Sequence, residues 1–318
     1  MINSVEERSL AERLQPRMAM EEQFARTGKK FRKSFLSRHE RILVRPWLKF
    51  GLQIAGLYPR GLRNAISPVV RELRFSFTDL PPAFDGFQIL QLADLHIDRM
   101  DGLTEALLPV IDGLRPDVCV LTGDYRFEDE GPCDEVYTRM RPIVSTVSAK
   151  YGIFGILGNH DVSEIAFALE DMGVRMLVNE AVEITQRHAS IWLAGIDDPF
   201  GYECDDLPGT LSSVPSAAFK VLLAHTPELY CDASARNVQL YMCGHTHAGQ
   251  IRFPGIGSIR NNARCPRAYA YGHWSHREMQ GYTSAGVGCS SLPIRFNCPP
   301  ELVLIELRRK RSSQTSDC

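Results

Sequence analysis

The sequence predicts an α/β layered fold with a buried sheet. Short apolar runs of strand length recur along the chain, and most are rich in Val, Ile and Leu. Segments with helical patterning separate several of them, which is the alternation expected of strands and helices stacked in layers.

Taken in order, residues 1–40 read as helical and polar, rich in Glu, Arg and Lys. Residues 41–70 mix aromatic and aliphatic side chains with Arg and Lys, and Pro46 and Pro59 break them into short pieces. From Phe75 the texture changes. Apolar runs fall at 87–93, 117–123, 152–158, 191–196, 220–224 and 239–244. Helical patterning falls at 103–116, closed by Pro116, and again around 134–150. A third helix is expected at 163–173, with Ser163 as N-cap and Gly173 as C-cap. Residues 301–307 read as a final strand, and 308–318 as a charged, disordered end. The chain thus divides into a basic helical arm (1–74), one large domain (75–307) and a tail (308–318).

Of 318 residues, 44% are hydrophobic and 23% charged, an ordinary globular composition with length for a full core. The net charge of −2 hides an asymmetry. Residues 1–74 hold 16 Lys/Arg and 7 Asp/Glu, a balance of +9; the remaining 20 and 31 leave −11. A basic arm on an acidic body suits an anionic partner or a solvated basic helix. Within 41–70, Trp47, Phe50 and Leu52 could face a bilayer interface with cations toward the head groups; equally, the segment could dock on the rest of the chain. No apolar stretch approaches the roughly 18 residues needed to span a bilayer. The start of the chain has early acids and no apolar core of a secretory signal. Nine scattered cysteines without a CxxC pair fit reduced, mostly buried thiols in a cytoplasmic protein.

The chemistry sits after the apolar runs. Asp94-Leu95-His96 follows the first, Gly123-Asp124 the second and Gly158-Asn159-His160-Asp161 the third. His225 follows the run at 220–224, and Gly244-His245-Thr246-His247 follows that at 239–244. Five strands therefore deliver polar residues at their C-terminal ends, where ligands bind in open α/β sheets. Carboxylate, imidazole and amide oxygen together suit Mn²⁺, Fe²⁺ or Zn²⁺. Asp94 and His96 are two apart, as are His245 and His247, so an extended backbone would aim each pair to one side. A lone histidine is usually a packed or surface residue; an ordered series of DxH, GD, GNHD, His and GHTH is another matter.

That series resembles the calcineurin-like metallophosphoesterase superfamily over roughly residues 84–307. The stretches 244–251 and 282–302 are similar to a bacterial branch that includes membrane-associated phosphodiesterases and UDP-2,3-diacylglucosamine hydrolases. The resemblance implies a four-layer α/β/β/α sandwich of two mixed sheets, with metals at the strand C-terminal edge. It implies two divalent metal ions, Mn²⁺, Fe²⁺ or Zn²⁺. Asp94, His96 and His247 would hold the first, Asn159, His225 and His245 the second, and Asp124 both. His160 would be the proton donor or phosphate clamp, and Asp161 would orient His160 or cap the following helix. The implied reaction is hydrolysis of a phosphodiester or pyrophosphate by a metal-bridging hydroxide, on a nucleotide- or lipid-linked substrate.

Departures narrow this. The text GDYRFED lacks the GDxxDRG of Ser/Thr protein phosphatases, and Phe127 stands where purple acid phosphatases place Tyr. Arg252, Arg260 and Arg267 could bind a second phosphate or be solvated. His273, Trp274 and His276 fall in an insertion-like stretch that could line a pocket but reads better as a surface loop. Two rivals stand beside the hydrolase: a catalytically silent metal-binding scaffold of the same fold, and a nuclease. The acidic body would repel a polyanionic duplex, which disfavours nucleic acid. The expected location is the cytoplasm, either free or peripheral on the cytoplasmic face of the inner membrane.

Overall fold

The computed structural model describes residues 2–4, 8–27, 45–128, 130–258, 262–290 and 292–310. Two sheets lie face to face. The first runs in the order β2 (Val69–Phe77), β15 (Glu301–Arg309), β3 (Gln88–Leu92), β4 (Val118–Thr122), β5 (Ile153–Ile156) and β6 (Val174–Met176). Strands β3 to β6 are mutually parallel, and β15 runs antiparallel to β3 but parallel to β2.

The second sheet runs β1 (Ile2–Ser4), β7 (Glu180–Gln186), β8 (Ala189–Gly195), β9 (Lys220–Leu223), β10 (Leu240–Cys243), β14 (Met279–Thr283) and β13 (Gly272–His276). Its centre, β8 to β10 and β14, is parallel, and its margins are antiparallel. β11 (Arg252–Phe253) and β12 (Gly257–Ser258) form a separate small ribbon.

Strand alternation assigns the layers. On β4, Val118 and Val120 point between the sheets, where they meet Leu193, Val221 and Leu223 of the second. Cys119 and Leu121 point the other way, toward the helices α4 (Leu103–Asp112), α5 (Asp134–Thr146) and α6 (Ser163–Asp171). On the far side, Leu222 and Tyr241 pack with Leu207 of α7 (Leu207–Thr210) and Ala233 of α8 (Tyr230–Ala235). The result is helix, sheet, sheet, helix, as the resemblance implies. Burial of each such aliphatic side chain contributes about 1.5–3 kcal/mol.

Several elements differ from the sequence reading. β2 runs through the boundary drawn at residue 74 and pairs along its whole length with β15, which itself continues to Arg309 rather than stopping at 307. The rest of the tail, 311–318, lies outside the described residues. The stretch 268–280, read as a surface loop, supplies most of the edge hairpin β13–β14, with Trp274 buried and its indole N–H donated to Thr283. Ser163 does not cap α6; its N–H and hydroxyl both go to Glu21 of α1 (Leu10–Thr27). Gly173 does adopt the left-handed conformation that ends that helix, with φ +98.

α1 lies against the domain. α2 (Arg45–Ile54) and α3 (Tyr58–Ala65) follow, and α2 leaves Trp47 69%, Phe50 54% and Ile54 73% exposed. The most basic stretch of the arm, 28–44, lies outside the described residues. No helix among them is long and apolar enough to cross a membrane. The eight described cysteines are free thiols, five of them buried.

Candidate metal centre

Both sheets present the C-terminal ends of their parallel strands to one edge. β3, β4 and β5 deliver Asp94 and His96, Asp124, and Asn159; β9 and β10 deliver His225, His245 and His247. All seven side chains are buried. They fall into two groups, Asp94 with His96 and His247, and Asp124 with His225 and His245, each with its ligand atoms within 4.8 Å of one another. Asn159 joins the second group, its Oδ1 3.0 Å from His225 Nε2.

The convergence does not come from strand alternation. Asp94, His96, Asp124, His245 and His247 all have positive φ, between 38 and 71 degrees, so the chain leaves each strand in a left-handed turn rather than an extended run. This corrects the expectation that DxH and HxH pairs share a face on extended backbone. Turn geometry brings the residues together, and tight glycine contacts permit it. A Cβ on Gly158 would lie 2.2 Å from Asp124 Oδ1, and one on Gly244 2.3 Å from Asp94 Oδ2.

The donor chemistry fits divalent cations. His96 Nδ1 faces the Arg126 carbonyl at 2.7 Å and His225 Nδ1 faces that of Thr122 at 2.9 Å. A carbonyl only accepts, so each Nδ1 carries the proton and each Nε2 offers a lone pair inward. Both face an acceptor, Asp124 Oδ2, and His96 Nε2 also lies 3.1 Å from His247 Nε2. Acceptors turned on one another in a buried space call for positive charge between them.

The electrostatics agree. Burial, opposed in part by His225, pushes the Asp94 carboxyl up to about 7. Burial disfavours the His225 imidazolium, yet neighbouring Asp124 pushes it up to about 10, so Asp124 draws a positive charge to His225 Nε2 that a bound divalent cation would replace. Burial holds His96 and His245 down at about 3, which keeps them neutral and fit to ligate.

A model of the family described as calcineurin-like phosphoesterase matches residues 87–249, just over half the chain. The chain belongs to this family. It is 29% identical to the uncharacterized metallophosphoesterase YkuE of Bacillus subtilis, over 72% of this chain and 82% of that one. It is 30% identical to the phosphodiesterase YaeI of Escherichia coli, over 70% of this chain and 82% of that one. Among solved structures, phosphopantetheinyl hydrolase of Mycobacterium tuberculosis aligns over 64% of this chain and 91% of its own, at 12% identity and a TM-score of 0.40.

In this phosphoesterase His160 lies beside the first group, its ring centroid 5.0 Å from that of His96. Its N–H donates to Asp124 Oδ1 at 2.9 Å and its Nδ1 lies 2.8 Å from the Phe127 carbonyl. Asp161 neither orients His160 nor caps α6. Its carboxylate accepts the backbone N–H of Asp124, Tyr125 and Gly158, each at 2.8 Å, and so ties two ligand loops together. Arg252 lies over Tyr271 and Arg267 donates to the Ser258 carbonyl; Arg260 lies outside the described residues.

Other neighbours of the site carried no motif. Phe200 sits 4.4 Å from the His245 ring with the Arg264 guanidinium 4.7 Å over its own face. Phe127 flanks His96 and carries Arg99 at 4.3 Å. Gln91 donates to Thr122 and to the Cys243 carbonyl, bridging the sheets beneath the centre. Phe127 stands out in the sequence only as a departure from a family tyrosine; of the others, only the inward, polar position of Gln91 inside an apolar run carries a signal there.

Proposed function

We propose that this phosphoesterase hydrolyses a phosphodiester or pyrophosphate bond at a two-cation centre. The observation that carries the reading is the position of Asp124. Its Oδ2 lies 3.6 Å from His96 Nε2 and 3.3 Å from His225 Nε2, so one carboxylate oxygen faces both ligand groups. Asp94, His96 and His247 would hold one cation, Asn159, His225 and His245 the other, and Asp124 both. Divalent cations bound there, Mn²⁺, Fe²⁺ or Zn²⁺, supply Lewis acidity that lowers the pKa of water and offsets phosphoryl charge.

The remaining steps belong to the protein. Asp161 and the close-packed glycines keep the ligand loops rigid, so little reorganisation accompanies reaction. His160, half-buried at the rim, has its Nδ1 proton held by the Phe127 carbonyl, which leaves Nε2 to hold a proton for the departing oxygen. Arg99 and Arg264, each laid on a phenylalanine at the site, give an anionic substrate cationic surfaces to meet. Such surfaces suit a nucleotide- or lipid-linked phosphate. The exposed Trp47, Phe50 and Ile54 of α2, next in the chain to a strongly basic stretch, favour peripheral contact with an anionic bilayer from the cytoplasmic side.

Hydrolysis of bis-p-nitrophenyl phosphate with added Mn²⁺ tests the reading. Turnover that depends on Mn²⁺ and disappears in Asp124→Asn supports it. A folded protein that binds Mn²⁺ without turnover on diesters, pyrophosphates or nucleotides would instead be the silent scaffold.

A further inference from the structure

We propose that Arg17, in the N-terminal helix, is a positioning residue for the second ligand group, clamping the loop that bears Asn159 to the opposite sheet. The proposal rests on the two-cation reading above.

Arg17 is fully buried, well outside the span that the family model matches. Its guanidinium crosses the seam between the sheets. On one side Nε and Nη2 grip the Asp197 carboxylate, at 2.9 and 2.5 Å, in the loop that follows β8 of the second sheet. On the other, Nη1 donates to the Asp161 carbonyl at 2.8 Å and to that of Gly158 at 3.3 Å, in the loop that follows β5 of the first. These two carbonyls bracket Asn159 and His160. The Tyr202 ring covers one face of the guanidinium at 3.8 Å.

The second ligand group straddles the same seam. Asn159 comes from the first sheet, while His225 and His245 come from the second, and the 3.0 Å approach of Asn159 Oδ1 to His225 Nε2 depends on the separation of the two loops there. The other strand ends have their own ties across the seam, from the His245 backbone N–H to both oxygens of Asp94 at 2.8 and 3.0 Å and from His225 Nδ1 to the Thr122 carbonyl at 2.9 Å, and neither holds the loop that bears Asn159. Removing the Arg17 clamp should therefore loosen one cation and spare the other. A buried ion pair is poor value for stability alone, because desolvation offsets most of the attraction; a role in geometry accounts for its presence. Helix α1 is held independently by Arg13, which donates to the Met176 carbonyl, and by Glu21, which accepts from Ser163. Substituting Arg17 thus leaves the helix docked and tests the guanidinium by itself.

Equilibrium dialysis of the full-length chain against Mn²⁺, with urea unfolding of the metal-free protein alongside, decides the matter. The wild type should bind two Mn²⁺ per chain. Arg17→Met should keep one at unchanged affinity and bind the other about tenfold more weakly or worse, the scale typical of lost outer-shell support. Arg17→Lys, which retains charge but not the fork, should fall between them. If Arg17→Met does not fold, Arg17→Lys decides by the same selective loss. Both ions weakening alike, or neither weakening, would overturn the proposal and leave Arg17 a general stabiliser. A wild-type chain that binds no second Mn²⁺ would remove the two-cation reading itself, and the proposal with it.

Discussion

The carboxylate of Asp161 accepts the backbone N–H of Asp124 at 2.8 Å and, through the same oxygen, that of Gly158. One buried side chain thus holds the loop after β4 to the loop after β5. Burial and the charge of Asp124 raise the Asp161 carboxyl above its usual range, so this arrangement has an electrostatic cost that its backbone donors offset. Asp161→Asn keeps one acceptor oxygen and turns an N–H₂ group toward backbone donors. It should lower stability by about 1–3 kcal/mol, the cost of buried groups left unpaired, and reduce turnover. Chemical denaturation with paired kinetics checks this.

Asp124→Asn should abolish hydrolysis and weaken both cations, because one residue faces both groups. His160→Ala should lower kcat by about 10²- to 10⁴-fold, the range for a lost proton donor, with metal content kept. Metal analysis of the two purified variants separates the roles; equal metal loss in both would show that His160 is a ligand.

Chelation should destabilise the protein and Mn²⁺ should restore it. Burial already pushes Asp94 up to about 7, and Asp124 lies beside it. An ion bound only by the folded chain stabilises by about 2.7 kcal/mol at a concentration 100 times its Kd. Calorimetry across a Mn²⁺ titration should show Tm rising with the logarithm of free metal.

Asp205 offers a pH prediction away from the centre. Burial first, then the charges of Asp198, Asp197 and Asp206, raise its carboxyl above the ordinary value. A carboxyl raised in the folded state binds its proton more tightly there than in the unfolded chain. Its ionisation costs stability as pH rises through the ordinary carboxyl range and beyond. Asp205→Asn should therefore raise Tm at neutral pH, and the gain should shrink on acidification to about pH 4. A gain unchanged down to acid pH would mean the effect is not one of charge.

Membrane contact through α2 predicts salt-sensitive co-sedimentation with anionic but not neutral vesicles, since each cation near such a surface contributes about 1 kcal/mol. Replacing Trp47 and Phe50 by Ser should weaken it without changing hydrolysis of a soluble diester. Absence of binding at low salt would remove the membrane from the picture.

The α/β layering and the edge where the polar residues gather were legible in the sequence. Parallel strands in such sheets end on one side, so DxH, GD, GNHD, His and GHTH at strand ends had to approach one another. Local patterns reached no further than their own element. Ser163 looked like a cap because the text around it does, yet Glu21, 142 residues away, takes its N–H. Trp274 looked like loop because its hairpin is short and polar on one face. Asp161 read as orienting His160 or capping the next helix, because its actual partners are backbone N–H groups that no side-chain motif records. Arg17 and Asp197, 180 residues apart, carry no shared signal at all. By itself the sequence determined which residue types arrive at the ends of which strands. Only the tertiary structure decided how far apart the two sheets hold them, because left-handed turns and buried charges that set that spacing are stable only once both sheets have closed over them.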